Sequence, residues 1–186
     1  GEIKTFPLVE CEFNPEANLV EFLFSPADVS PEIELKAKEI SSQLIEKLNM
    51  VGLLAVELFL TKSNELLVNE IAPRPHNSGH HTIECCSTSQ FSQHLRAILN
   101  LPLGDTSLIQ AGAMINLVGE KEFNGPVIYD GLENLLSIPG VFPHLYGKEI
   151  SKPFRKMGHI TITGKNIDEL KAKRDKIKGL IRVISR

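Results

Sequence analysis

The most constraining stretch of the chain is residues 52–82, GLLAVELFLTKSNELLVNEIAPRPHNSGHHT. Two apolar segments, Leu53–Leu60 and Glu65–Ile71, flank the polar, turn-forming Thr61-Lys62-Ser63-Asn64. That pattern predicts a β-hairpin. With Ser63 and Asn64 as a two-residue loop, Glu57 lies directly opposite Glu70 on one face of the sheet. Directly paired side chains have Cβ atoms roughly 5 Å apart. Two carboxylates at that distance repel by about 3 kcal/mol at an effective dielectric of about 20. A shared proton, a basic side chain or a divalent cation would relieve this. Hard cations such as Mg²⁺ take oxygen ligands, typically carboxylates together with nucleotide phosphates. The alternative is a register slip that turns both glutamates to solvent; apolar residues on either side of each one favour the metal reading.

The loop that follows, Ile71 to His81, combines two prolines and a glycine with Arg74, His76, Asn77, Ser78, His80 and His81. Proline stiffens the backbone and Gly79 permits a close approach. A rigid loop presenting these side chains suits an anionic, hydrogen-bonding small molecule. A plain solvated connector has no need of so many stiff and polar residues together.

A chain of 186 residues has room for one large or two small cores. The net charge of −3 gives no general attraction to nucleic acid or anionic membranes, and no apolar run approaches the ~20 residues of a membrane helix. Three cysteines, with Cys85 and Cys86 adjacent, do not form a disulfide framework and suggest a reducing, cytoplasmic setting. The opening Gly1-Glu2-Ile3-Lys4-Thr5-Phe6-Pro7 reads as though mid-strand, as expected of a fragment.

Along the chain, residues 2–13 and 18–24 are β-rich and joined by the turn sequence Asn14-Pro15-Glu16-Ala17. Pro7 argues for an edge strand or a bulge. Ser30-Pro31-Glu32 starts a helix whose apolar stripe is Ile33, Ala37, Ile40, Leu44 and Leu48. Thr82–Cys86 reads as buried. A second helix spans about Ser89 to Asn100, with Phe91, Leu95, Ile98 and Leu99 expected on its inner face and His94 in solvent. Leu101–Thr106 reads as a linker. Beyond it come a strand at Ala111–Val118, a loop at Glu120–Tyr129, a short helix at Gly131–Ser137 and a strand at Val141–Tyr146. Ile160–Gly164 is a further strand, and Asn166 caps a final helix to about Lys178, with Leu170, Ile177 and Leu180 facing in.

Between them lies KEISKPFRKMGH, in which Lys148, Lys152, Arg155 and Lys156 cluster within an otherwise acidic chain. Phosphate capture and a solvated charged hairpin explain this cluster equally well on composition alone.

Glu57, the run Asn69-Glu70-Ile71-Ala72-Pro73-Arg74-Pro75-His76-Asn77-Ser78-Gly79-His80 and the later Arg155-Lys156-Met157-Gly158-His159 together resemble the C-terminal half of the 5-(carboxyamino)imidazole ribonucleotide synthases, ATP-grasp enzymes of purine biosynthesis. The resemblance covers nearly the whole chain. It implies an α+β fold, with a partial ATP-grasp domain of antiparallel sheet and packed helices at 1–105. A small β-rich C-terminal domain would follow at 106–186.

The resemblance also implies ATP-dependent carboxylation of 5-aminoimidazole ribonucleotide with bicarbonate, through carboxyphosphate. Glu57 and Glu70 match the Mg²⁺-binding carboxylates, and Asn69 stands with them at the ATP site. Arg74, His76 and Asn77 match the loop that meets the bicarbonate-derived group and the aminoimidazole, with Ser78 beside them. Lys148 and Arg155 match the pair that holds the 5′-phosphate, and Lys156 is a third contact. His80, His81 and His159 receive no role beyond packing. Many ATP-grasp relatives place a third metal ligand, Asn, where this chain has Ala72; that points away from biotin carboxylase. The family's N-terminal domain and ATP-binding lid should precede residue 1, so the chain alone is expected not to turn over ATP, and a homodimer is expected to form largely through those parts. Formate-dependent glycinamide ribonucleotide transformylase and a non-catalytic ligand-binding remnant are the alternatives. The Lys148–His159 segment favours the synthase over the first. The presence of Glu57, Glu70, Arg74, Lys148 and Arg155 weakens the second.

Overall fold

The computed structural model describes residues 1–14 and 19–186; Pro15, Glu16 and Ala17 of the expected turn lie outside them. The strands are β1 (Glu10–Asn14), β2 (Leu19–Ser25), β3 (Ala55–Leu60), β4 (Leu66–Ala72), β5 (Ala111–Val118), β6 (Gly125–Asp130), β7 (Val141–Leu145), β8 (Ile150–Ser151), β9 (Lys156–Gly164) and β10 (Arg182–Ser185). The helices are α1 (Pro31–Lys47), α2 (Thr82–Cys85), α3 (Gln90–Ile98), α4 (Leu132–Leu136) and α5 (Ile167–Ile177).

The chain forms two compact units, one of residues 1–9 and 26–109 and the other of residues 10–25 and 110–186. The expected division at residue 105 therefore omits a crossover. The N-terminal hairpin β1–β2 belongs to the second unit, because β2 pairs with β5 from Phe22↔Ile115 to Ser25↔Gly112.

In the first unit, Ser30 caps α1 by accepting the Ile33 N–H at 3.3 Å, with proline at the first helical position. Ile33 and Ala37 are its buried residues, whereas Leu48, at the far end of the expected stripe, is exposed. Residues 2–9 form no strand. Their backbone polar groups bond to loops instead: Leu8 C=O accepts the Ala27 N–H, and Thr5 C=O accepts the Thr106 hydroxyl. Pro7, which has no N–H to offer a ladder, stands in this segment.

The second unit is built on an antiparallel sheet in the order β1-β2-β5-β9-β7. Alternation along the strands separates its faces. Phe22, Phe24, Ile115, Ile160 and Ile162 point into a core completed by Leu170 and Ile177 of α5. The Asn166 side chain caps α5 by accepting the Glu169 N–H at 2.9 Å, and Glu169 reaches back to accept the Lys165 N–H. A second sheet, β10-β6-β8, includes a stretch expected to be loop. Gly125-Pro126 at its start masks the pattern, but Val127 and Tyr129 pack against the core and β10 pairs along most of β6.

Two positive-φ glycines separate the effects of backbone strain and crowding. Gly131 has φ +85°, and a Cβ there would lie 1.8 Å from the Leu180 carbonyl oxygen; Gly147 has φ +67° with open space around it. Gly147→Ala is therefore expected to cost about 1 kcal/mol. Gly131→Ala, which must also displace backbone, is expected to cost more than about 2 kcal/mol. Urea denaturation of the two variants measures the difference.

Candidate active site

The site is built on β3 and β4. Glu57 pairs with Glu70, as do Ala55 with Ala72 and Val56 with Ile71. The route to this register differs from the expected one. The loop holds three residues, Lys62-Ser63-Asn64, closed by Thr61 N–H donating to Glu65 C=O at 2.9 Å. Asn64 takes the left-handed conformation, φ 60°, usual at the end of a three-residue loop. That loop alone would shift β4 by one residue and turn Glu70 away from Glu57. A bulge restores the pairing: Leu58 faces Val68, Glu57 faces Glu70, and Asn69 is the extra residue between. Asn69 thus joins the two glutamates, its Nδ2 lying 3.5 Å from Glu57 Oε2.

Glu57 is half-buried and Glu70 exposed. Solvent screening of Glu70 brings their repulsion down from the interior value toward the ~1 kcal/mol of charges in water. The strands therefore hold the pair at little cost, and the donor set fits a hard divalent cation: two carboxylates flanked by an amide.

His76 completes the cluster. One ligand atom each from Glu57, Glu70 and His76 lies within 4.8 Å of the others, and His76 Nε2 is 3.8 Å from Glu57 Oε1. The other ring nitrogen decides its role. His76 Nδ1 accepts the Ser78 N–H as the cap of the 3₁₀ turn Asn77–Gly79, and Ser78 Oγ lies 2.9 Å from it. An accepting Nδ1 leaves the proton on Nε2. The imidazole then faces the carboxylates as a hydrogen-bond donor, not as a third ligand.

Arg74 is exposed, its guanidinium steadied by the Pro75 carbonyl at 3.1 Å. Asn77 and Ser78 form the turn itself. The first unit thus brings together Glu57, Asn69, Glu70, His76, Asn77 and Ser78, with Arg74 in the same loop. In the second unit, Lys148 Nζ donates to Lys156 C=O at 2.5 Å and lies 5.5 Å from the Tyr146 ring centre. Arg155 Nη1 donates to Ile150 C=O at 2.8 Å. Lys148, Arg155 and Lys156 are gathered around the β8–β9 connection. The buried His159 stacks on His144 at 4.5 Å and meets the Tyr146 hydroxyl.

What supports the loop was not expected. The apolar residues of α3 face outward, Phe91 40%, Leu95 55%, Ile98 49% and Leu99 63% exposed, while Gln90 and Gln93 are buried. The helix turns its amides inward because each closes a loop's backbone. Gln93 donates to Gly104 C=O and accepts its N–H, and Gln90 does the same at His76. Sequence periodicity ranks apolar residues as inner and has no means of detecting this. His94, expected in solvent, accepts the Leu53 N–H at 3.1 Å beside Gly52.

Cys85 and Cys86 are buried, which pushes their thiols up to about 12 and about 11 and keeps them unreactive. His81 is buried beneath the turn, donating from Nδ1 to Ser78 C=O at 3.1 Å. Burial lowers its pKa to about 4. Between pH 6.5 and 4 the unfolded chain binds a proton here that the folded one does not, so stability falls as pH drops through that window. The loss is expected to approach about 3 kcal/mol. Chemical denaturation across pH measures it, and His81→Gln should flatten the profile.

The ATP-grasp domain family model matches residues 1–91, and that of the phosphoribosylaminoimidazole carboxylase C-terminal domain matches residues 112–173. The N5-carboxyaminoimidazole ribonucleotide synthase of Bacillus subtilis (strain 168) is 46% identical over 170 residues, covering 91% of this chain and 42% of its own length. The N5-carboxyaminoimidazole ribonucleotide synthetase structure from Thermotoga maritima superposes with a TM-score of 0.91 at 44% identity, over 100% of this chain and 49% of that one. A structure of the Aspergillus clavatus N5-carboxyaminoimidazole synthase with ADP and 5-aminoimidazole ribonucleotide gives 0.84 at 35% identity, over 94% of this chain and 46% of that one. The chain thus spans less than half the length of these relatives. Residues 1–91 match the ATP-grasp domain family and residues 112–173 the phosphoribosylaminoimidazole carboxylase C-terminal domain family, and the chain is similar over nearly its whole length to the C-terminal half of N5-carboxyaminoimidazole ribonucleotide synthases.

Proposed function

We propose that this chain is part of a ligase that couples ATP cleavage to carboxylation of 5-aminoimidazole ribonucleotide by bicarbonate in purine biosynthesis. The observation that carries the reading is the opposed Glu57 and Glu70, with Asn69 bulged beside them and the His76–Ser78 turn against them. Bicarbonate as carbon source, Mg²⁺ as cation and a cytoplasmic homodimer as the full-length working form rest on the family resemblance alone.

In the first step the γ-phosphoryl bond to ADP breaks and a bond to a bicarbonate oxygen forms, giving carboxyphosphate. In the second, the exocyclic amine attacks the carboxyl carbon, inorganic phosphate leaves and the nitrogen loses a proton. Glu57 and Glu70 would hold the divalent cation, with Asn69 orienting Glu57. When bound there, such a cation would offset charge on phosphoryl oxygens. Arg74 offers its guanidinium to the bicarbonate-derived anion as a planar, permanently charged fork. His76 presents its Nε2 proton to an oxygen that gains charge, with the Glu57 carboxylate 3.8 Å away. Asn77 and Ser78 contact the aminoimidazole. Lys148, Arg155 and Lys156 take the 5′-phosphate; Lys148 spends one of three ammonium donors on the Lys156 carbonyl, and two remain for oxygen.

In the full-length protein, Glu70→Gln is expected to lower ATP hydrolysis at least ~100-fold. Its denaturation midpoint should move by less than about 1 kcal/mol, since Glu70 is exposed. Retained Mg²⁺-dependent turnover would exclude the ligand role. Lys148→Ala is expected to raise KM for the ribonucleotide by about tenfold or more, as expected for losing a charged hydrogen bond, and to leave KM for ATP unchanged. Steady-state kinetics with each substrate varied in turn provides the check; equal effects on both would contradict the assignment.

A further inference from the structure

Gln90 is only 2% exposed and has no part in the chemistry above. Its side-chain amide meets the site loop at three points. Oε1 accepts the His76 N–H at 2.8 Å, while Nε2 donates to the His76 C=O at 2.8 Å and reaches His80 Nδ1 at 2.9 Å. A backbone N–H can only donate and a C=O only accept, so the amide has one possible orientation. The NH₂ group is therefore the partner of His80, and His80 Nδ1 must present a lone pair. The proton of the neutral ring lies on Nε2.

The surroundings of Gln90 restrict its side chain to this arrangement. Its own N–H donates to Thr82 Oγ1 at 2.9 Å, and that hydroxyl donates to Gly79 C=O at 2.6 Å. A Cβ on Gly79 would come within 2.5 Å of Gln90 Oε1, so glycine is what lets the amide lie against the turn. The plane of the His80 ring is set separately, by stacking on Phe91 at 5.7 Å and 16°. The two bonds to His76 are enough to hold the turn. The third selects a tautomer.

We propose that Gln90 is a positioning residue for the reaction. By gripping His76 on both sides of its Cα it sets the approach of that imidazole to Glu57, and by donating to His80 Nδ1 it keeps His80 a donor at Nε2. This rests on the reading of the His76–His80 turn as part of the substrate site.

The test is Gln90→Glu in the full-length protein. The substitution keeps the acceptor for the His76 N–H and replaces the NH₂ group with an oxygen that repels the His76 carbonyl and draws a proton to His80 Nδ1. Nitrogen NMR of histidine-labelled wild-type protein should show His80 as the Nε2–H tautomer. In the variant, His80 should become protonated at Nδ1 and titrate at higher pH. kcat should fall about tenfold to a hundredfold, with KM for ATP and for the ribonucleotide within about twofold. Gln90→Met, which keeps the volume and removes all three bonds, should leave His80 a mixture of tautomers with a similar loss of kcat, and serves if the glutamate variant does not fold. A wild-type His80 carrying its proton on Nδ1 would overturn the proposal, as would wild-type kcat in either folded variant. If the full-length protein does not carboxylate the ribonucleotide at all, the functional reading fails separately, while the tautomers of wild type and variants still decide whether Gln90 sets the ring.

Discussion

Side-chain direction in a hairpin follows from register, and in β3–β4 the register near the site depends on Asn69. The three-residue loop, left to run on, would place Glu70 on the opposite face from Glu57. One extra residue in β4 cancels that shift. It also turns an amide into the space beside the two carboxylates. The approach of His76 to Glu57 follows from this geometry, since the loop that carries it leaves β4 just after Glu70. A bulge at such a position re-aims side chains at the point where chemistry is needed.

The loop after β4 is held by a polar support. Each of two buried glutamines on α3 closes one residue's backbone N–H and C=O, at His76 and at Gly104. A buried amide with all its partners is specific in a way that an apolar contact is not, because it fits only one arrangement of donors and acceptors. Neutral His81 beneath the turn and Thr82 beside it extend the same support. The apolar residues of α3 are left outside as a consequence.

Much of this was readable from residues. The opposed glutamates, the Ser30 and Asn166 caps and the long strands of the second unit follow from local pattern. The pattern reaches this register through a two-residue loop, whereas the structure has three loop residues and a bulge that offset each other, and neither leaves a period-two signal. Periodicity turns α3 inside out because an amide's value depends on what lies opposite it, and that is fixed by tertiary structure. β6 was hidden by its opening Gly-Pro. Composition reads segment 2–9 as strand, whereas its backbone partners lie in loops at Ala27 and Thr106.

The N-terminal hairpin has a further consequence through its pairing with β5. β1 and β2 can pair at once, but β2 finds its second neighbour only after β5 has been made, so the second unit cannot be completed as the ribosome delivers it in order. Until then β2 carries an apolar face and an unpaired edge, the combination most open to mispairing. Cutting the gene between the two units at residue 109 would free a C-terminal product in which β5 is a bare sheet edge. A separable version of the second unit would have to carry the hairpin with it, joined ahead of β5 by a new connection.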